Sequence, residues 1–355
     1  MNLIEEQREE LGSLLQKQAF SLFGACPTGH RGGPKVQKLE SLFCDYFEVR
    51  HAIAMNSATS ALHAACIVGN VHRTLVPVVT FSATASAVLM AGGKPVFTDI
   101  DPETYNMKLT CDAVDSIIPV HLHGNPCPIQ TQGEFVIEDC SQAIGAKCQG
   151  KKVGTIGNCG IFSFNQGKII QCGEGGMLIT NDDEIADKVR LIRNHGETQS
   201  MTMGYNYRMT ELQAAVLIPQ MKRLDELLEW KITLAECLTE ELKDIPELVP
   251  PKVQPGDTHV YCTYPVRVKG INRDELQKSL IERGVYFGEG GYKPLNRLPF
   301  YGDKGYYPNA EDAYQTIMYT NIVKPPLLIK DVREIASKIE ESLCEGSRLK
   351  PIALG

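Results

Sequence analysis

Seven short apolar runs separated by helix-like segments constrain this chain more tightly than any other feature. HAIAMN, LVPVVT, PVFTDI, IIPVHLH, EFVIEDC, CGIFSFN and GGMLIT recur between residues 49 and 182, several of them rich in Val and Ile. Runs of this length and composition read as buried strands. Between them, residues 59–69 and 82–92 have helical composition and end in Gly, so strand and helix alternate. The expectation is an α/β fold with a mainly parallel sheet covered by helices.

Beyond residue 206 the texture changes. A helical stretch is predicted over 210–242, with Leu212, Ala215, Leu224 and Leu228 at helical spacing, long enough to bridge two lobes. Pro246, Pro250, Pro251 and Pro255 then punctuate the chain. THVYCTYPVRV alternates like a half-exposed strand, and helices are expected near 272–284 and 329–343. With 355 residues there is chain enough for two domains. A large domain with the N-terminal segment is expected over 1–235, and a smaller α+β domain over 236–355.

Charge and composition exclude several classes. A net charge of −7, a pI near 5.7 and no run of Lys or Arg longer than two argue against nucleic acid or an anionic membrane as partner. The acidic, amphipathic start MNLIEEQREELGSLLQKQ lacks the basic, then apolar, order of a signal peptide and reads as mature sequence. Residues 75–93 are apolar but interrupted by Pro77 and by hydroxyl side chains between 80 and 86, which argues against a membrane span. Twelve cysteines without a CxxC pair point to free thiols in a reducing cytoplasm.

Three segments carry residues that chemistry could use. In EFVIEDCSQAIGA an apolar run delivers Asp139 to a strand end and Gln142 to the turn after it. Open parallel sheets bind ligands beyond the carboxyl ends of their strands. A carboxylate there can hold a protonated ring nitrogen, coordinate a metal, or cap a following helix. In GIFSFNQGKIIQCGEGGMLITND, Lys168 occupies a polar, Gly-containing loop between two strand-like runs. It is either a solvated surface lysine or an amine held in a cleft, where desolvation or a neighbouring cation makes it a nucleophile. In AMNSATSAL, a strand runs through residues 56–60 into a helix. The amides and hydroxyls at that helix start form either an ordinary Ser/Thr cap or an anion site.

In this order along an α/β lobe, the three segments resemble the DegT/DnrJ-type (StrS-like) sugar aminotransferases, which are pyridoxal-phosphate (PLP) enzymes of the aspartate-aminotransferase-like fold type I. The resemblance runs from GPKVQKLESLF through NSATSAL, VTFSATASAVLMAGGKPVFTDID, PVHLHGNP, VIEDCSQAIGA, FSFNQGKIIQCGEGG and GYNYRMTELQAAV to YKPLNRLPFY. It implies a large domain with a mainly parallel seven-stranded sheet and a smaller α+β C-terminal domain. It also implies PLP that cycles through pyridoxamine 5'-phosphate, with glutamate or glutamine as amino donor. The acceptor it implies is a keto-sugar, first a nucleotide-linked 3- or 4-keto-sugar and second a keto-cyclitol.

Carried over position by position, the resemblance makes Lys168 the Schiff-base lysine and proton shuttle, and Asp139 the partner of the pyridine nitrogen. A carboxylate there keeps the ring nitrogen protonated, so the ring accepts electron density from the substrate. Gln142 becomes a contact on the O3′ side, and Phe81 the aromatic that stacks on the ring and fixes its orientation. For the phosphate it names Ala58, Thr59, Ser60, Ser163 and Asn206, the last contributed by a partner subunit, which implies a homodimer with shared active sites. Ala58 stands where many members have Gly, a change that backbone contacts tolerate. Asn165, Gln166 and Gly167, beside Lys168, replace residues that vary between substrate classes. Members with His at the lysine position are dehydratases. The lysine here favours transamination over that rival, and over a non-catalytic regulatory homologue.

Other polar residues have plainer readings. His121 and His123 alternate along a predicted strand and share a face, yet supply no third ligand, so no metal is expected. His195, after a predicted helix, reads as a capping or packing residue. Glu138 points away from Asp139 on the same strand and reads as structural.

Overall fold

The computed structural model describes residues 2–24, 29–110, 113–130, 133–196, 203–287, 292–320 and 328–344. Its elements begin with α1 (Leu3–Lys17), α2 (Pro34–Phe47), β1 (His51–Met55), α3 (Ala58–Val68), β2 (Arg73–Pro77), α4 (Ala83–Met90), β3 (Lys94–Thr98), β4 (Ser116–Ile117) and β5 (Phe135–Asp139). They continue with β6 (Lys147–Cys148), β7 (Lys151–Lys152), β8 (Cys159–Ser163), β9 (Gly176–Thr180), α5 (Asp183–Arg193), α6 (Glu211–Lys222) and α7 (Leu224–Leu242). The C-terminal part holds β10 (Leu248–Val249), β11 (Tyr264–Val268), α8 (Arg273–Glu282), α9 (Pro308–Thr316), β12 (Ile317–Thr320) and α10 (Ile329–Cys344).

Each of the seven apolar runs supplies one strand of a seven-stranded sheet in the order β1-β9-β8-β5-β4-β2-β3. The pairs β2–β3, β2–β4, β4–β5 and β5–β8 are parallel, and β9 runs against both of its neighbours. Alternation along the strands splits the core in two. Ile53, Met55, Ile161 and Leu178 face one cluster with α3, α4 and α5, while Ala52, Ala54, Phe162, Met177 and Ile179 face another with α2, α6 and the start of α7. Burial on both faces is why these strands read as continuous apolar runs. Each fully buried Ile, Leu or Phe stabilises by about 1.5–3 kcal/mol.

A third core unites Leu234, Leu238 and Leu242 of α7 with Tyr264, Val266 and Val268 of β11, and with α8 and α10. The small sheet is antiparallel, β10-β11-β12. Because Leu224 and Leu228 belong to the sheet's core and Leu234 onward to this one, α7 spans the two.

Three expectations are corrected. The single helix over 210–242 is two, broken where Arg223 leaves helical geometry at φ −111°, ψ 17°. The strand in IIPVHLH stops at Ile117, so His121 and His123 lie in a turn, and His123 takes the left-handed φ of 60°. Pro119 cannot donate to a ladder, which limits the strand there. THVYCTYPVRV becomes strand only from Tyr264, and residues 259–266 are buried rather than half-exposed, because both lobes pack on them. Among the described residues no helix is long and apolar enough to cross a membrane, and the cysteines are free thiols.

Candidate active site

The candidate residues gather along one edge of the sheet. Met55, Gly176 and Ser163 stand opposite one another on β1, β9 and β8, and on the next strand Asp139 pairs with Ile161. Asp139 is thus one strand across and two residues along from Ser163, roughly 8 Å. Since β9 is reversed, its first residue lies at the carboxyl ends of its neighbours, where open α/β sheets bind ligands.

At the β1 end, Ser57 is the N-cap of α3 and its hydroxyl accepts from the Ser60 amide. The Ser60 hydroxyl is itself held by Ser57 and Asn56. Helix α3 therefore starts at Ala58, earlier than the extended reading of residues 56–60. The first amides of a helix have no partner inside it. Those of Ala58 and Thr59 accordingly remain available, at the positive end of the helix dipole. The backbone of β9 reaches this point because residue 176 is Gly: a Cβ there would lie 2.5 Å from the Ala58 nitrogen.

Asp139 ends β5 with only 4% of its surface exposed. No helix follows, so it is not a helix cap. One carboxylate oxygen accepts from the Ser141 amide at 3.1 Å, the other from the Thr84 hydroxyl at 2.9 Å. No cation pairs with it among the described residues. Gln142 is buried in the turn beyond, its Oε1 accepting from the His123 amide at 2.7 Å and its Nε2 donating to the Tyr292 hydroxyl at 3.2 Å. Phe81, between β2 and α4, exposes 63% of its surface.

Lys168 lies in the loop that joins β8 to β9. Backbone bonds from Phe164 to Gly175, from Gln166 to Gly173 and from Lys168 to Asn165 fold that loop back on itself. Asn165 Nδ2 donates to Glu174 at 2.8 Å, tying the loop's two sides. The Lys168 side chain is half-buried, and its ammonium has no hydrogen bond or ion pair among the described residues. Asn206 is exposed. Its carbonyl accepts from Asn56 Nδ2 at 3.1 Å and its side chain accepts from Arg208 Nε at 2.9 Å, so within one chain its amide group turns to Arg208.

His123, read from the sequence only as half of an incomplete metal pair, and Tyr292, which no motif singles out, belong to this neighbourhood through Gln142. Tyr292 stacks on Tyr319 with ring centroids 5.9 Å apart, and His123 bonds Thr263. Burial pushes the His123 imidazole down to about 3 and raises the Tyr292 phenol, so both are neutral donors or acceptors. Thr80 and Thr84 join the site through Asp139. Their signal was present: hydroxyls interrupting an apolar segment.

The trio of His121, Glu138 and Cys140 is close enough to suggest a metal. Glu138, however, accepts from the amides of Gly154, Ile156 and Gly157 and from His121 Nε2. His121 Nδ1 accepts from the Cys127 amide. With both histidine nitrogens and all four carboxylate positions engaged, the cluster reads as structural. A groove of about 420 Å³ lined by Arg50, Asn158, Thr180 and Asp183 lies at the opposite edge of the sheet, away from every candidate residue.

The profile of the DegT/DnrJ/EryC1/StrS aminotransferase family matches residues 26–340. The chain belongs to that family. A GDP-perosamine synthase of Caulobacter vibrioides is 36% identical over 294 residues, covering 76% of this chain and 79% of the relative. A pleiotropic regulatory protein of Geobacillus stearothermophilus is 35% identical over 337 residues, covering 87% and 89%. The crystal structure of S. venezuelae DesV in complex with a ketimine intermediate is 27% identical with a TM-score of 0.85, covering 96% of this chain and 94% of that one. This aminotransferase accordingly has the fold type I architecture and is by class a PLP-dependent sugar aminotransferase.

The residues fit PLP on physical grounds. A buried carboxylate without a cation costs free energy unless a positive donor reaches it, and a protonated pyridine would supply one at Asp139. Free amides at the α3 start suit a phosphate, and an unpaired lysine suits a carbonyl.

Proposed function

We propose that this enzyme moves the amino group of glutamate or glutamine onto a nucleotide-linked 3- or 4-keto-sugar, in amino-sugar biosynthesis. The observation that carries the reading is Asp139: a buried carboxylate at a strand end, with neutral donors on both oxygens and the Lys168 loop on the adjoining strand. The nucleotide-linked acceptor is supported by a relative named for a GDP-sugar.

In this reading Asp139 accepts the cofactor's ring N–H, and the amides of Ala58 and Thr59, with the hydroxyls of Thr59 and Ser163, hold its phosphate. Ser60, whose hydroxyl is already bonded to Ser57 and Asn56, keeps the helix start in shape. Phe81 covers one ring face, and Gln142 sits on the O3′ side. Lys168 Nζ, displaced by the donor's amine, takes the proton from the donor's α-carbon and later returns one to the acceptor carbon. When bound, PLP supplies the electron-withdrawing ring that receives the electron pair that proton leaves behind. Asn206 reaches the phosphate of a second copy of the chain, making a homodimer.

Mixing PLP-loaded protein with glutamate or glutamine tests this directly. The visible band is expected to disappear as the keto acid is released, and a nucleotide-linked keto-sugar is expected to restore it. A protein whose spectrum responds to neither donor overturns the reading.

A further inference from the structure

Two hydroxyls stand behind Asp139. Thr84, in the first turn of α4, is 1% exposed and Thr80, at the end of the preceding segment, is 2% exposed. The Thr84 hydroxyl donates to Asp139 Oδ2 at 2.9 Å, and the Thr80 hydroxyl lies 3.0 Å from the Thr84 hydroxyl. A carboxylate only accepts, so the hydrogen of Thr84 goes to Asp139 and its free lone pair accepts from Thr80. The direction of the whole chain is fixed by its last member. Neither hydroxyl has another hydrogen bond among the described residues, and Thr84 does not cap α4, whose start has no side-chain cap. Valine has nearly the shape of threonine, so packing alone does not ask for hydroxyls at two buried positions.

We propose that Thr84 and Thr80 are positioning residues for the Asp139 carboxylate: Thr84 fixes the rotation of the carboxylate and shares its charge, and Thr80 fixes Thr84. With Oδ2 anchored by Thr84 and Oδ1 by the Ser141 amide, the carboxylate cannot turn, and its remaining lone pairs keep one orientation towards the ring nitrogen. Linked hydrogen bonds polarise one another, so removing Thr80 is felt at Asp139 through Thr84. The proposal rests on the reading that Asp139 faces the cofactor's ring nitrogen.

The test uses full-length T84V, T84S, T80V, T80V/T84V and D139N proteins, with two readouts: the dissociation constant of PLP from apo protein, and the rate and apparent KM of the glutamate half-reaction. T84V is expected to weaken PLP binding roughly tenfold and to slow the half-reaction by roughly ten- to a hundredfold with KM for glutamate unchanged. T84S is expected to restore both. T80V is expected to act in the same direction more weakly, and to add nothing in the T84V background. Wild-type PLP affinity and rate in T84V, no rescue by T84S, or additive T80V and T84V effects would each overturn the proposal. Should T84V not fold, T80V carries the test, and wild-type values in it overturn the proposal. D139N separates the two levels. If it is impaired while T84V is not, only the proposal fails; if D139N is itself unimpaired, the reading of Asp139 fails and the proposal with it.

Discussion

Gly176 packs so closely on Ser57 that a Cβ at position 176 would lie 2.4 Å from the Ser57 carbonyl carbon and oxygen. Gly176 also pairs with Met55 on one side and Ser163 on the other, so a single backbone-wide contact sets β9 against the start of α3. Gly176→Ala must push that helix start aside. The expected cost is about 1–3 kcal/mol of stability, together with a clear loss of PLP affinity. Thermal unfolding of the apo protein and a PLP titration measure the two. Unchanged values in both would mean that the α3 start does not depend on this contact.

Lys168→Ala is expected to separate chemistry from folding. Because the ammonium has no partner among the described residues, the apo variant is expected to unfold within about 0.5 kcal/mol of wild type. Borohydride treatment of the PLP-loaded variant is expected to leave no cofactor mass on the protein, and turnover is expected to vanish. A retained covalent adduct would move the nucleophile to another lysine.

These residues also mark how far the sequence carried. The seven strands were legible because burial on both faces writes itself as an unbroken apolar run. Asp139 and Lys168 were legible less from their own surroundings than from company in the right order, since one buried carboxylate or one loop lysine has commoner explanations. The break at Arg223 was not legible, as apolar spacing continues across it. Nor was the His123 turn: a left-handed residue leaves little trace when it is not Gly. The hydroxyl chain behind Asp139 depends on a contact 55 residues apart, which no local pattern encodes.

Acid is expected to destabilise the fold before most carboxylates titrate. His123 and His259 are each 3% exposed. Burial holds the first down at about 3 and the second well below the ordinary 6.5. Above 6.5 both are neutral folded or unfolded, and their contribution is complete. Below 6.5 the unfolded chain binds protons that the folded chain refuses, so stability falls by about 1.4 kcal/mol per pH unit for each histidine. Denaturant unfolding between pH 7.5 and 5 measures the slope. His123→Asn keeps a residue that tolerates positive φ and is expected to remove about one proton from that slope. An unchanged slope would mean that His123 is not held neutral.

Adjacent carboxylates are expected to give opposite phenotypes. Glu138 accepts four N–H donors, two on each oxygen, and His121 cannot relieve the pattern because its other nitrogen is already accepting. Glu138→Gln puts an NH₂ group against two of those donors whichever way the amide is turned. The expected loss is about 3 kcal/mol of stability, read by urea unfolding, with PLP affinity kept in the protein that remains folded. Asp139→Asn meets only one amide and one hydroxyl, and the hydroxyl is free to rotate. Its apo stability is expected to stay within about 1 kcal/mol of wild type, while the half-reaction with glutamate collapses. Equal losses of stability in the two variants would remove the division of labour between the two faces of β5.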